Sequence, residues 1–159
     1  MKKFMMVAIT LIATTSIFGQ TVERSYDEIE NEVWIRSPYQ ACSGCEFMKM
    51  SLNKYITKGG IRYYLSLSTI GSTFTLLPKG VIVLFTDGTK WIKSLEGIDS
   101  DLKDGDFEYS AFIRLTSTDL AMFKSKTIKK YRLYIYDEYV TEEQGQFFKA
   151  SVSEVIATK

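Results

Sequence analysis

Two cysteines three positions apart are the most specific chemical feature of this sequence. Cys42 and Cys45 enclose Ser43 and Gly44, and the 159 residues contain no other cysteine. A Cys-x-x-Cys pair exchanges disulfides when its surroundings, such as a helix N-terminus, lower the pKa of a thiol. A Ser-Gly spacer also allows a tight turn that brings two Cα atoms within bridging distance. Cys42 and Cys45 are therefore candidates for a redox pair or for a local structural disulfide.

The motif resembles the active site of thioredoxins, with Pro78 as the proline that this family places beside its cysteines. The resemblance implies a thiol–disulfide oxidoreductase with a buried strand before the motif and a helix after it. The sequence departs from this pattern, because Ala41 replaces the usual tryptophan and residues 46–56 favour a strand. Exported chains with an even number of cysteines usually pair them. We therefore expect a structural disulfide and keep redox catalysis as the alternative function.

Four aspartates crowd one short stretch and offer the oxygen ligands that calcium prefers. They are Asp99, Asp101, Asp104 and Asp106. Their spacing differs from that of an EF-hand loop, since Lys103 stands where the third ligand belongs and no glutamate occupies the twelfth position. We predict a polar, solvated loop from Ser94 to Gly105, with calcium binding as the alternative.

Aromatic residues are the third feature, because the chain contains ten tyrosines. Tyrosine and tryptophan combine an apolar ring with a polar group, which suits binding surfaces. The same residues also occur in strands for packing reasons alone. The sequence therefore predicts either a tyrosine-rich sheet core or an aromatic binding surface. The candidates for such a surface are Tyr64, Trp91, Tyr134 and Tyr136.

The complete absence of histidine narrows the possible chemistry. Without histidine there is no Ser-His or Cys-His nucleophile, no imidazole acid–base catalyst and almost no route to a catalytic zinc site. We therefore identify no catalytic residue and expect no cofactor. The sequence favours a non-enzymatic domain that binds a protein or a carbohydrate.

Residues 1–19 have the pattern of an export signal. Lys2 and Lys3 precede an apolar run from Phe4 to Ala13, and small or neutral residues lead to a cleavage site after Gly19. The apolar run is too short to remain as a membrane anchor. A lipoprotein signal needs a cysteine immediately after the cleavage site, and the nearest cysteine is Cys42, so we do not expect a lipoprotein. The predicted location is the periplasm or the extracellular space, without stable membrane insertion after cleavage.

Charge argues against nucleic acid as a partner. Removal of Lys2 and Lys3 with the signal leaves 18 Lys and Arg against 19 Asp and Glu. A net charge of about −1 gives no general attraction to nucleic acids or anionic membranes. Residues 20–32 are predicted to be a polar lead-in, and residues 33–159 are enough for one domain with its own core.

Period-two alternation of apolar residues predicts most of the secondary structure. Residues 46–56 and the segment that starts at Ile61 flank a Lys-Gly-Gly turn. A hairpin between them places Leu52 opposite Leu65 and Met50 opposite Leu67, so that the apolar faces coincide. We therefore predict strands in both segments.

A second hairpin is predicted in the middle of the chain. Residues 81–85 are continuously apolar, which is typical of a strand covered on both faces. The Asp87-Gly88 pair follows and favours a two-residue type I′ turn. This turn would place Val83 opposite Ile92.

The remaining segments complete the predicted order of elements. Thr116 and Thr141 are helix N-caps, each with a capping-box partner three residues later. The other strands are predicted at residues 33–36, 73–77, 107–115 and 131–136. The expected fold is α+β: a mainly antiparallel sheet or sandwich-like domain, with a short helix and a C-terminal amphipathic helix packed on it.

Overall fold

Apolar side chains alternate with polar ones along most strands, so each sheet has one face that must be buried. The computed structural model describes residues 22–38 and 49–159 and packs two antiparallel sheets with these faces together. The larger sheet contains β1 (Glu23–Asp27), β2 (Glu32–Arg36), β3 (Lys49–Thr57), β4 (Gly60–Gly71), β7 (Asp99–Lys103) and β8 (Asp106–Leu115). Their order across the sheet is β1-β2-β3-β4-β8-β7.

The smaller sheet covers the core from the opposite side. It contains β5 (Lys79–Phe85), β6 (Lys90–Gly97), β9 (Ile128–Leu133) and β10 (Tyr136–Tyr139), in the order β10-β9-β5-β6. Helices α1 (Ser117–Ser125) and α2 (Glu142–Ala157) pack on each other, and α2 also contacts β3 and β9. The predicted sandwich-like α+β fold, with its C-terminal helix on the sheet, is confirmed.

The first predicted hairpin has the expected register. Leu52 pairs with Leu65 and Met50 pairs with Leu67, and all four side chains lie in the core. Matching of two apolar faces was therefore sufficient to align β3 with β4, because a slip of one residue would expose both sets.

The central hairpin forms, but its predicted register is wrong by one residue. Val83 pairs with Trp91 instead of Ile92. Since side chains alternate between the two faces of a strand, this shift turns Trp91 into the core and Ile92 towards solvent. Trp91 is only 4% exposed, whereas Ile92 is 52% exposed.

The geometry of the turn explains the shift. A type I′ turn needs positive φ at both central residues, yet only Gly88 has it, with φ of 82°. Asp87 instead accepts hydrogen bonds from the backbone N–H of Thr89 (2.9 Å) and from Lys126 Nζ (2.8 Å). Side-chain hydrogen bonds from Lys126 and Thr89 hold the pKa of Asp87 well below its usual range. The result is a three-residue loop that ends in glycine.

Two segments that the sequence marked as irregular are strands. Residues 23–27, within the predicted polar lead-in, form β1 and pair with β2. The predicted loop from Ser94 to Gly105 contains the end of β6 and the whole of β7. Between these strands the buried side chain of Ile98 anchors the chain, and its N–H donates to the carbonyl of Pro78 (3.0 Å). The buried side chain of Ile98 and the pairing of β7 with β8 hold the segment against the sandwich.

Two segments that were predicted to be continuous strands are not. Residues 73–77 are irregular, and Leu77 has φ of 53°, which is outside the range of a strand. The backbone of Thr73 is hydrogen-bonded to the hydroxyls of Tyr109 and Tyr136 instead of to a neighbouring strand. The predicted strand 131–136 is the hairpin of β9 and β10, which turns at Tyr134 with φ of 57°.

Both predicted helix caps are present. The hydroxyl of Thr116 accepts the N–H of Asp119 (3.2 Å), and Thr141 makes the equivalent bond with Gln144 (3.2 Å). The apolar stripe of α2 is buried, and its C-terminal end is tied to β3 by the ammonium group of Lys54. Burial lowers the pKa of this lysine.

Several predictions concern residues outside the described ranges. These are the export signal at residues 1–19 and the pair Cys42 and Cys45. Across residues 22–38 and 49–159, neither helix has the length and hydropathy needed to cross a membrane.

Candidate binding face

The solvent side of the larger sheet carries an unusual set of side chains. Leu52 of β3 and Leu65 of β4 point into the core, so the residues that alternate with them along each strand point away from it. We call these outward side chains of β2, β3, β4 and β8 the outer face. Its aromatic members are Trp34, Tyr55, Tyr64 and Phe112; its polar members include Arg36, Asn53, Arg62, Ser66, Ser68, Glu108, Ser110 and Arg114. Two of the polar members, Asn53 and Ser68, are almost fully buried.

Three rings form a compact aromatic cluster on the outer face. Tyr64 and Phe112 are stacked, with ring centroids 4.6 Å apart and planes inclined by 7°. Tyr55 meets both rings edge to face, at 5.4 Å from Tyr64 and 6.3 Å from Phe112. Phe112 is nevertheless 48% exposed although β8 lies between two other strands. The cluster therefore presents a rigid apolar ridge to solvent.

A chain of polar contacts fixes other side chains of the outer face. The guanidinium carbon of Arg36 lies 4.9 Å from the centre of the Trp34 ring, within cation–π distance. Arg36 Nε donates to Asn53 Oδ1 (3.0 Å), and Asn53 Nδ2 donates to Ser66 Oγ (2.9 Å). Side chains held in this way lose little further entropy when a ligand binds.

The ridge separates two shallow depressions, each of about 250 Å³. The first is lined by Glu32, Tyr55, Thr57, Arg62, Tyr64 and Phe112. The second is lined by Ser66, Ser68, Glu108, Ser110 and Phe112 with the backbone around them. Small hydroxyl side chains make the second depression a recess directly beside a protruding phenyl ring.

Charge is distributed unevenly over the outer face. Arg62 and Arg114 are exposed beside Tyr64, at the end of β8 that precedes α1. The opposite end of β8 carries Glu108, which pairs with Lys103 at 3.4 Å, and lies next to Asp101 on β7. The face thus has a basic end and an acidic end.

Of the four predicted binding residues, Tyr64 alone belongs to the outer face. Trp91 is buried, and its Nε1 donates to Asp119 Oδ1 at 2.6 Å. Tyr134 packs against the core at the β9–β10 turn. The ring of Tyr136 lies 4.9 Å from that of Tyr109. The structure therefore does not bring the four candidates together.

The interaction of Trp91 with Asp119 links the smaller sheet to α1. Asp119 also accepts hydrogen bonds from the N–H of Thr116 (3.0 Å) and from Lys93 Nζ (3.2 Å). Burial opposes ionisation of Asp119, but hydrogen bonds from Thr116, Trp91 and Lys93 outweigh it, and the pKa is lowered. The role of Trp91 is structural in this arrangement.

The four aspartates of the candidate calcium site are spread along a hairpin. Asp99 and Asp101 lie on β7, Asp104 lies in the following turn with φ of 53°, and Asp106 begins β8. Within the part of the chain that the structure describes, no three Asp, Glu, His or Cys side chains converge as a metal site requires.

Sequence reasoning missed Trp34, Tyr55 and Phe112, although a usable signal was present. Each of them occupies a position whose neighbours at i±2 are polar, as Phe112 does between Ser110 and Arg114. An aromatic residue between polar i±2 neighbours in a strand is therefore the signal that would have placed these three side chains on the solvent side of the sheet.

Comparison with known proteins identifies no relative. No protein-family model matches the chain, and neither a curated protein nor a solved structure matches it.

Proposed function

We propose that this chain is an exported, non-enzymatic binding domain that recognises its ligand through the outer face. The observation that carries this proposal is the position of Phe112, half exposed and stacked on Tyr64 in the middle of a solvent-facing sheet surface. The lysines and the apolar run within residues 1–19 support export.

The composition of the outer face supports a binding role. Residues that dominate binding energy in interfaces are enriched in Trp, Tyr and Arg, and interface cores are enriched in aromatic side chains generally. The outer face combines Trp34, Tyr55 and Tyr64 with three arginines around one exposed phenyl ring. Burying this ring against a ligand would remove apolar surface from water.

The ring geometry favours a protein over a carbohydrate. A sugar binds an aromatic side chain by laying its C–H groups on a free ring face. Here Tyr64 and Phe112 cover one face of each other, and Arg36 covers one face of Trp34. The exposed part of Phe112 lies beside a recess, which suits the packing of side chains in a protein interface.

The alternative, redox catalysis by Cys42 and Cys45, gains no support. The thioredoxin-like arrangement needs a helix after the second cysteine, whereas residues 49–57 form β3. An insulin-reduction assay with the purified protein tests this alternative directly, and we expect no activity above background.

Site-specific crosslinking tests the proposed binding face. A photo-reactive phenylalanine analogue is placed at position 112 and, as a control, at position 92 of the smaller sheet, where Ile92 is similarly exposed. After irradiation in the producing cells, mass spectrometry identifies what is attached. We expect specific protein adducts from position 112 that are absent from position 92.

Two results would contradict the proposal. Equal crosslinking from both positions would show that the outer face has no privileged partner. Glycan adducts, or binding on a glycan array that is lost when Phe112 and Tyr64 are replaced by serine, would show that the ligand is a carbohydrate.

A further inference from the structure

We propose that the partner of the outer face is a second copy of this chain, which packs its β8 antiparallel against β8 of the first. This inference rests on the proposed function, since it names the partner of the same face. It is carried by two features of the outer face that complement each other about a two-fold axis.

The first feature is a knob beside a hole. Phe112 protrudes, while Ser110, two residues earlier on the same strand, lies in the recess that Ser66 and Ser68 also line. Outward side chains two residues apart are separated by about 7 Å along the strand. If an in-plane two-fold axis crosses β8 between them, at Ala111, each Phe112 lies over the partner's recess.

The second feature is the distribution of charge along the same strand. Arg114 lies three residues after Ala111, and Glu108, whose carboxylate also pairs with Lys103 of its own chain at 3.4 Å, lies three residues before it. The axis that places Phe112 over Ser110 therefore also places Arg114 over Glu108 of the second copy. The two pairs are separated by about 20 Å, so they flank the apolar centre on both sides.

The neighbouring strand obeys the same symmetry. Tyr64 pairs with Arg114 across the β4–β8 ladder, and Ile70 pairs with Glu108. The two-fold axis consequently lays Tyr64 over Ile70 of the second copy, which adds an aromatic–aliphatic contact. A patch that is complementary to itself in this way is what an isologous dimer requires.

Face-to-face packing of this kind is physically ordinary for antiparallel sheets. Two sheets pack about 10 Å apart with their strands roughly aligned, which leaves space for one interdigitating layer of side chains. Each copy already contains one interface between two sheets, and the dimer would add a further face-to-face contact between the larger sheets of the two copies.

The first experiment measures self-association of the purified protein by sedimentation equilibrium. We expect a dimer, with Phe112→Ser raising the dissociation constant by roughly tenfold or more. Ile92→Ser removes a similarly exposed apolar side chain from the other sheet and should leave the constant unchanged. Thermal unfolding of each variant verifies that the fold is intact.

The second experiment uses charge reversal. In the proposed dimer Arg114→Glu opposes Glu108, and Glu108→Arg opposes Arg114, so each variant alone should be largely monomeric. An equimolar mixture of the two variants should form heterodimers. In the heterodimer each position 114 faces a position 108 of opposite charge, so both contacts are attractive. Lys129→Glu, an exposed change on β9, is the matched control and should not affect dimerisation.

The outcomes separate this inference from the proposed function. A monomer at millimolar concentration, a dimer insensitive to Phe112→Ser, or failure of the mixture to associate would overturn the second-copy partner. If position 112 still crosslinks to one particular different protein, the binding face stands and only its partner changes. Crosslinks to the chain itself support both proposals.

Discussion

At the scale of single residues, Asp119 shows how one side chain connects several elements. Its carboxylate joins the N-cap of α1 to Trp91 and Lys93 of β6. Because its side chain is largely buried, each of these hydrogen bonds is shielded from competing water. Asp119, which the sequence predicts as part of a capping box, therefore also holds α1 against β6.

Asp119→Asn should destabilise the protein by about 1–3 kcal/mol, because a charged acceptor of three hydrogen bonds becomes neutral. The folded-state pKa of Asp119 lies below the unfolded value. Its contribution is therefore present above the unfolded pKa, near 3.8, and is lost as the pH falls through the folded pKa. Urea unfolding of wild type and variant, from neutral pH down to a pH below the folded pKa of Asp119, measures both effects.

Asp101→Asn, on an exposed part of β7, is the control and should change stability very little. An identical loss of stability on acidification in wild type and Asp119→Asn would contradict the role assigned to Asp119.

At the scale of elements, the position of α2 depends on the absence of a side chain. A Cβ at Gly145 would lie 2.5 Å from the carbonyl oxygen of Ile128 and 2.8 Å from Thr127 Cγ2. The helix can approach β9 this closely only because residue 145 is glycine. The same approach allows Phe148 and Val152 to reach the core.

Gly145→Ala should therefore destabilise the protein by about 1–3 kcal/mol through overpacking. In an unconstrained helix interior the same change would stabilise by about 0.5–1 kcal/mol, so the sign of the effect is diagnostic. Gly97→Ala, where a Cβ meets no atom within 4 Å, is the control. Thermal melts of the two variants check the prediction, and a stabilised Gly145→Ala would show that α2 packs less closely.

At the scale of the whole molecule, tyrosine hydroxyls tie the two sheets together. Tyr131 of β9 is fully buried and donates to the carbonyl oxygen of Ser68 on β4 at 2.5 Å. Thr69 Oγ1 and Glu138 Oε1 form a second link between the sheets at 2.6 Å. Burial, followed by the charge of Glu138, raises the pKa of Tyr131 far above its ordinary value, so the hydroxyl remains a donor.

Tyr131→Phe keeps the ring and removes this link, which should cost about 0.5–1.5 kcal/mol, the usual net contribution of one hydrogen bond to stability. Tyr139→Phe, at a strongly exposed tyrosine of β10, should have little effect. Guanidinium unfolding monitored by tryptophan fluorescence compares the two. Equal stabilities would mean that the hydroxyl of Tyr131 does not help to hold the sheets together.

Much of the fold was predictable from the sequence because the deciding interactions are local or repetitive. Alternation along β3 and β4 determined their pairing, since one register alone buries Leu52 and Leu65 together. The capping boxes at Thr116 and Thr141 involve residues three positions apart. Such patterns predict strands, helices and the sandwich-like class without knowledge of distant contacts.

The composition of the outer face and the register of β5 with β6 were decided only by tertiary structure. Lys126, 39 residues away, bonds to Asp87 in the central turn, and the one-residue shift of that hairpin buries Trp91. Likewise, Tyr55, Tyr64 and Phe112 become one cluster only because three separate strands align them. Sequence periodicity states which side chains share a face of their own strand, whereas their neighbours depend on how distant strands pair.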